Sequence, residues 1–585
     1  MSNSSHHASQ ACHHWSYAAP LKVKTLSAAI ATLIIGTVIP FGTAHAFEVK
    51  NDGDLRIRWD NTVKYTAAWR LKDADPEVAN QRGAQPGTDF GNLGFKKGGL
   101  INNRFDILSE LDVAYKDVGF RVSGAGWYDD VYADGRNDFP KAGHPANTIA
   151  AVNGGANNRL PNASRDVMGR DAEIADAFVY GKFGIGDQML SLRAGRHTLI
   201  YGESLFLGAN AIAAAQTPID AVKALSLPNV QFKEVAMPVN QISGNLSLTD
   251  KVSIGSYLQF EWKEHRLPGV GSYFSPVDFV GPGSDLLIHP LAALNGNHSS
   301  YATRGRTYRG DDKGQWGLQV KIQHGDVDYG LYAARYDDKG PIPVVNIPSI
   351  RDREGALEGG IYNLMYAKNI RVYGASASTV FSGVNVAAEI STRRNVPLVI
   401  PGDLILNDLG LAADNSGNTP YARGNSLHIN LSAISIQPAN SIWDAASIVS
   451  ELAFNRLLSV THKPSQTFYE SQNETHTRDA LAMRTVLQME YFQVLPKVDL
   501  QVPIGIGYGI SGRSAVVSLS PEQGGDFSIG ANATIDNSWK VGLNYTTYFG
   551  NAGTATSKAS VGPYASYDQA HKDRDFISFS IQRTF

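Results

Sequence analysis

The chain has 585 residues, of which 43% are hydrophobic and only 18% charged, with 10% aromatics, 57 glycines and a formal net charge of −3. Charge this sparse falls below the roughly 25% of ordinary soluble proteins, and the absence of any basic stripe argues against a nucleic-acid partner. A helical membrane bundle would repeat apolar runs of about 20 residues, whereas only one such run occurs, near the N-terminus.

That run belongs to a three-part secretory layout. Lys22 and Lys24 precede an apolar stretch from Leu26 to Phe41, and Ala44-His45-Ala46 supplies an A-x-A site. Cleavage is expected after Ala46, making residues 1–46 a signal peptide and Phe47 the first mature residue. The alternative is an uncleaved anchor helix, although Ser27, Thr32 and Thr37 interrupt the run and Pro40 lies near its end. The His-rich stretch upstream (His6, His7, His13, His14) reads as a mis-set start rather than a metal site. The single cysteine, Cys12, would leave with the leader, so disulfides, Cys-ligated metals and Cys nucleophiles are excluded from the mature chain. That chain keeps 50 basic and 55 acidic side chains, a net charge of −5.

From Leu55 to Arg70 the sequence alternates with period two. Leu55, Ile57, Trp59, Val63, Tyr65, Ala67 and Trp69 share one face, with Asn61 as a polar intruder. Arg56, Arg58, Asp60, Thr62, Lys64, Thr66 and Arg70 share the other. Sixteen residues exceed the five or six of an ordinary strand and suffice to cross a membrane, although one such segment alone also fits a long hairpin arm. The alternation recurs at 252–262, 315–323, 481–491 and 539–546. Tight links such as Lys116-Asp117, Gly186-Asp187, Gly325-Asp326, Ser382-Gly383 and Asp536-Asn537-Ser538 carry turn-forming residues. They alternate with long polar loops, including 71–100, 132–171, 263–313 and 393–424. Short turns on one rim and long loops on the other predict an all-β, transmembrane antiparallel β-barrel of about 16–18 strands over residues 47–585, with both ends on the short-turn side. An amphipathic sheet in lipid must close, because a free edge leaves backbone groups unpaired. The aromatics Trp59, Trp69, Tyr491, Phe492, Tyr545 and Phe549 fall near strand ends, as interfacial girdles or lumen contacts.

The third long loop, 197–238, is less polar than the others. Leu205, Ala211, Ile212, Pro218, Ile219, Val222 and Leu225 make it a candidate lumen plug, since an apolar segment exposed to water is unfavourable and folding inward would bury it. Packing over the barrel mouth or against another subunit would bury it too. Thr217-Pro218 reads as an N-cap and first-turn proline of a short helix from Pro218 to Leu225. The candidate lumen-lining charges are Arg56, Arg58, Lys64 and Arg70 on the first strand and Arg104, Asp106, Glu110 and Asp112 on the second. Arg193 and Arg196 lie nearer the inward loop. These form either opposed charged columns that orient polar solutes or cross-strand ion pairs that keep the wall neutral.

No G-x-S-x-G or H-E-x-x-H motif occurs, and the ten histidines of the mature chain are scattered. No catalytic or metal-binding residues are therefore assigned, and no cofactor is expected.

The chain closes on Phe576-Ile577-Ser578-Phe579-Ser580-Ile581-Gln582-Arg583-Thr584-Phe585. This resembles the terminal strand of bacterial outer-membrane barrels, an assembly signal carried here by Ile577, Phe579, Ile581 and Phe585, with Arg583 departing from the pattern. Three internal stretches, Gly119 to Tyr132, Arg193 to Leu227 and Gln259 to Phe274, resemble the proteobacterial "domain of unknown function 1302" proteins. The resemblance implies an outer-membrane barrel of undefined cargo that handles hydrophobic compounds, alongside possible envelope transport partners, and it carries over no catalytic residue. The function expected is an outer-membrane channel or porin-like uptake protein for small or hydrophobic solutes, in contact with outer-membrane lipid and the barrel assembly machinery. A non-conducting scaffold docking to an envelope export complex is the alternative from another class, and a barrel hydrolase is the third.

Overall fold

The computed structural model describes residues 47–79, 90–133, 160–288, 301–346, 360–407, 413–464, 475–557 and 564–585. The expected signal peptide and its Ala44 and Ala46 lie outside the described residues. Alternating sequence produces long strands that pair in order. We number the barrel strands β1 (Leu55–Arg70), β2 (Leu100–Tyr115), β3 (Val118–Asp129), β4 (Arg170–Ile185), β5 (Gln188–His197), β6 (Val239–Thr249), β7 (Val252–Gln259), β8 (Gln315–His324) and β9 (Val327–Tyr336). The series continues with β10 (Ile370–Phe381), β11 (Val384–Pro397), β12 (Arg423–Gln437), β13 (Ala445–His462), β14 (Asp479–Leu495), β15 (Val498–Ser511), β16 (Gly525–Ile535), β17 (Trp539–Phe549) and β18 (Phe576–Thr584).

Each strand pairs antiparallel with its sequence neighbours, and β18 returns to β1 with Thr62 opposite Thr584 and Arg70 opposite Phe576. The sheet contains 19 strands; Phe47–Asp52 is the extra one, and the other 18 close the barrel. Closure leaves no open ladder in lipid. Phe47–Asp52 pairs with the first residues of β1, from Leu55 to Trp59, and so continues the row where β18 stops at Phe585. The sequence expectation of 16–18 strands is met at its upper value.

Eight short turns share the rim where the barrel chain begins and ends, and the long connections share the other. Tight reversal requires left-handed backbone at Lys116, Ser382 and Asp536, the positions where turn-forming sequence was read. Along the strands the outward face carries exposed apolar side chains, among them Ile107, Val179, Leu258, Leu331, Leu431 and Leu543. This is the pattern of a wall facing hydrocarbon. Arg583 falls on the same outward row at the short-turn rim, opposite Val63 and Trp539. Its guanidinium lies 5.1 Å from the Trp539 ring centroid and 6.0 Å from that of Phe585. The departure from the terminal pattern is thus a cation held between two rim aromatics.

The outer connections are more ordered than polar loops read from sequence. Leu286–Ile288, Tyr301–Tyr308, Ile342–Asn346, Gly360–Met365 and Ile405–Asn407 form a separate five-stranded sheet with two parallel pairings. Its core buries Leu287, Ala302, Val345, Tyr362 and Leu364 with Val277, Phe279 and Leu404. These strands are only three to eight residues long, and each gains its partner from another connection, so no local periodicity announces them.

Candidate functional site

The third outer connection, 198–238, is built from the strand walls upward. The register places Glu389 of β11, Asn430 of β12 and Ala453 of β13 in one row, and Glu451 lies two residues before Ala453 on the same face. Glu451 receives the segment's first arm. Its Oε1 accepts from Ser204 Oγ (2.7 Å) and Asn430 Nδ2 (2.8 Å). Its Oε2 accepts the backbone N–H groups of Leu205 (3.2 Å), Phe206 (2.6 Å) and Leu207 (2.8 Å). Glu389 accepts the N–H groups of Ile212 (2.6 Å) and Glu203 (2.8 Å). Gly202 has φ +95°, and a Cβ there would collide with the Glu389 carboxylate, so glycine is required for the approach.

Further ties fix the same arm. Arg393 Nη2 donates to the carbonyls of Ala209 (2.9 Å) and Ala211 (2.7 Å). Asn210 Nδ2 donates to Asn430 Oδ1 (2.9 Å), and Asn210 Oδ1 accepts from Asn455 Nδ2 (3.1 Å). Lys321 of β8 pairs with Glu203 at 2.6 Å. Ile212 is buried with Tyr201, Tyr257 and Tyr332, the last two from β7 and β9.

The second arm reaches other walls. Arg266 donates to Asp220 (2.7 Å) and to Glu173 of β4 (2.5 Å), and its guanidinium lies 5.3 Å from the Trp127 ring, with Arg104 at 4.9 Å from the same ring. Asn229 Oδ1 accepts from Ser528 Oγ of β16 at 3.1 Å. A Cβ on Gly505 of β15 would occupy the position of the Asn229 side chain. The segment therefore touches β7–β9, β11–β13 and β15–β16, and reaches β4 through Arg266. A helix is present, but over Ala221–Ser226, with Asp220 as the N-cap accepting from Lys223 N (2.9 Å). This corrects the start read at Thr217-Pro218. Ile219 bridges Ala236 in extended conformation, and Thr217 Oγ1 donates to Met237 O (2.6 Å), so neither is free to begin a helix.

Of the sequence-selected segment residues, Ala211, Ile212 and Pro218 are buried, and Leu205, Ile219, Val222 and Leu225 are half-buried. Val222 and Leu225 pack against an outer-loop core containing Phe90, Tyr132 and Tyr273.

The selected charges divide. Arg58 stands opposite Asp112, Asp60 opposite Glu110, and Lys64 opposite Asp106, as adjacent basic and acidic rows predict. Most are locally matched: Arg58 with Asp60 (2.6 Å), Arg104 with Asp106 (2.7 Å), Glu110 with Arg121, and Asp112 with the Tyr180 hydroxyl (2.9 Å). This favours a neutralised wall over opposed columns. Arg56 shares their face and is exposed, and Arg193 lies 5.7 Å from the Phe178 ring.

Two members of the set are corrected. Arg70 is fully buried under the outer loops, donating to Asn92 O (2.7 Å), Phe95 O (2.6 Å) and Asp573 Oδ2 (3.0 Å). It ties loops together and lines no opening. Arg196 follows Leu190, Leu192 and Ala194 on the outward row, opposite Asn240, and pairs with Glu261 at 3.4 Å. Its odd, three-residue separation from Arg193 puts it on the other face of the strand.

Sequence reasoning missed Glu389, Glu451 and Arg266. Alternation could have put the two acids on the inward face, but their partners lie about 180 to 250 residues away in sequence and have no local signature.

The fold and its polar-in, apolar-out wall define a porin-like barrel. The family described as "Protein of unknown function (DUF1302)" matches residues 25–585, and the chain belongs to it. No curated protein matches the chain in sequence. Among solved structures, OccAB2 of Acinetobacter baumannii aligns at 9% identity over 93% of this chain and 99% of that one, with a TM-score of 0.39. OmpF of Salmonella typhi, in complex with daunomycin, aligns at 9% over 91% and 98%, with a TM-score of 0.34. OccK2 (OpdF) of Pseudomonas aeruginosa, in complex with glucuronate, aligns at 8% over 90% and 98%, with a TM-score of 0.36.

Proposed function

We propose that this chain is a diffusion channel of the bacterial outer membrane, narrowed by segment 198–238 and used by small or hydrophobic solutes. The observation that supports it most directly is the attachment of that segment to walls on different sides of the barrel. Glu389 and Glu451 hold one arm, and Asn229 meets Gly505 and Ser528 with the other. The wall facing an apolar stretch so held carries matched charges and Trp127, with Arg104 and Arg266 against its ring. The exposed apolar belt supports placement in lipid, and the terminal strand bearing Ile577, Phe579, Ile581 and Phe585 would be presented to the barrel assembly machinery.

Planar-bilayer recording of the refolded mature chain, with and without residues 205–227, tests the proposal. Discrete currents that become larger or steadier on deletion are expected. Folded, heat-modifiable barrels that pass no current in either form would overturn it.

A further inference from the structure

Between the inward segment and the outer loops lies a cavity of about 440 Å³, within the size range of small-molecule sites. Ile219 and Leu225 of the segment, Phe279 and Ile342 of the loops, Val396 at the end of β11 and Val517 give it apolar walls. Lys339 interrupts them. It is 2% exposed, and its Nζ is buried without a hydrogen-bond partner. An ammonium has three donors and no acceptor, and burying it unpaired is unfavourable. The Tyr336 ring, 5.1 Å away, offsets only part of this.

The neighbouring carboxylates accept backbone N–H groups and make no hydrogen bond to Lys339 Nζ. Asp338 accepts the backbone N–H groups of Lys339 (2.7 Å) and Gly340 (3.2 Å). Asp337 accepts those of Asp311 (2.8 Å) and Asn369 (2.9 Å). Asp403 accepts those of Ile400 (2.9 Å) and Ala565 (2.8 Å), and Arg393 is spent on the carbonyls of Ala209 and Ala211. His265 accepts Ile219 N–H at Nδ1 (2.9 Å), which leaves its ring proton on Nε2. Burial, with the nearby Lys339 charge, pushes its pKa down to about 3, so it lines the cavity as a neutral N–H donor.

We infer that this cavity binds an amphiphilic monocarboxylate, its head group on Lys339 Nζ near His265 and its apolar body along Phe279, Ile342 and Val396. A neutral amphiphile would leave the ammonium unpaired, and a cation would be repelled by it. A dianion would face a single free ammonium among the carboxylates of Asp337, Asp338 and Asp403. This deepens the channel proposed above by naming a solute class for it.

The test uses the mature chain in nanodiscs of zwitterionic lipid. Calorimetry compares 4-butylbenzoate with its neutral counterpart 4-butylbenzyl alcohol, against empty discs. Saturable binding of the carboxylate at least tenfold tighter than that of the alcohol is expected. Lys339→Met should remove that preference and leave alcohol binding unchanged. Burial pushes the Lys339 pKa down to about 8, so the wild-type preference should also fade as pH rises from 7 to 10. Across that range His265 stays neutral. Equal affinity for the two probes, no saturable binding, or a preference that survives Lys339→Met would overturn the inference. Conductance of the same preparation separates the two claims. A barrel that conducts without binding defeats the site alone, and one that binds without conducting defeats the channel alone.

Discussion

Replacing Glu451 asks whether anchorage of the inward segment controls passage. Both carboxylate oxygens face donors only, with Ser204 and Asn430 on Oε1 and three successive backbone N–H groups on Oε2. A glutamine must aim its NH₂ at one of these sets. Aimed at the Oε2 side it meets N–H groups that cannot turn away. Aimed at the Oε1 side it meets the Ser204 hydroxyl, which can rotate and accept, and the Asn430 amide, which then loses its bond. The second orientation is the milder one. Hydrogen bonds to a charged group contribute about 1.5–3 kcal/mol each and neutral ones about 0.5–1.5. Losing the charge and one bond therefore weakens the attachment by ~3 kcal/mol, or roughly a hundredfold in the attached-to-detached ratio at about 1.4 kcal/mol per tenfold. Glu451→Ala removes the acceptor entirely. Its three stranded N–H groups, at about 1–3 kcal/mol each and partly rescued by lumen water, give ~4 kcal/mol. Single-channel recording should show Glu451→Gln visiting a larger conductance level and Glu451→Ala occupying it for longer. The backbone ladder of β13 is untouched, so both should remain heat-modifiable barrels. Wild-type conductance and gating in both folded variants would refute the reasoning.

Gly505→Val places a side chain where Asn229 now sits. Overpacking of about 1–3 kcal/mol should push the segment off β15 and raise conductance, and adding Asn229→Ala should restore it; a single variant that behaves as wild type would show that this contact is not limiting. Arg70→Ala leaves the buried Asp573 carboxylate without its cation, a loss of about 3–5 kcal/mol that limited proteolysis should report as faster cleavage in connections 71–99 and 550–575, with the strands still protected. Burial lowers the Lys339 pKa from 10.5 to about 8, so the unfolded chain binds this proton more tightly. The site's contribution to stability is therefore lowest below pH 8 and rises between pH 8 and 10.5. At about 1.4 kcal/mol per pKa unit, Lys339→Met should add ~3 kcal/mol at pH 7, read as a later unfolding midpoint in urea, and should remove that pH dependence; an unchanged midpoint at pH 7 would contradict it.

What could be read from the sequence follows the range of the interactions. Period-two alternation is a local property of each strand, so β1 from Leu55 to Arg70 was legible residue by residue, and the turns at Lys116-Asp117 and Ser382-Gly383 announced themselves by composition. Strand number followed from the turns. Facing was legible only while the parity held: Arg193 and Arg196 look alike in sequence, but their separation of three residues puts them on opposite faces. Burial was illegible for a different reason. Arg70 sits on the correct face but is roofed by Asn92 and Asp573, the latter about 500 residues away.

The groups that hold and border the inward segment depend on that same long-range closure. Glu389 and Glu451 look like ordinary inward acids until Gly202 and residues 203–212 fold onto them. Asp337-Asp338-Lys339-Gly340-Pro341 reads as a solvated turn, and its lysine becomes a buried, unpartnered cation only because Ile342 of its own connection, Phe279 of the β7–β8 connection and Val396 at the end of β11 are brought around it. Composition proposes solvent for such a residue because lysine is almost never fully buried without a partner. A buried ammonium maintained in an apolar cavity of this size is therefore informative about a ligand, whereas the many matched charges along β1 and β2 are satisfied by the barrel itself and ask for none.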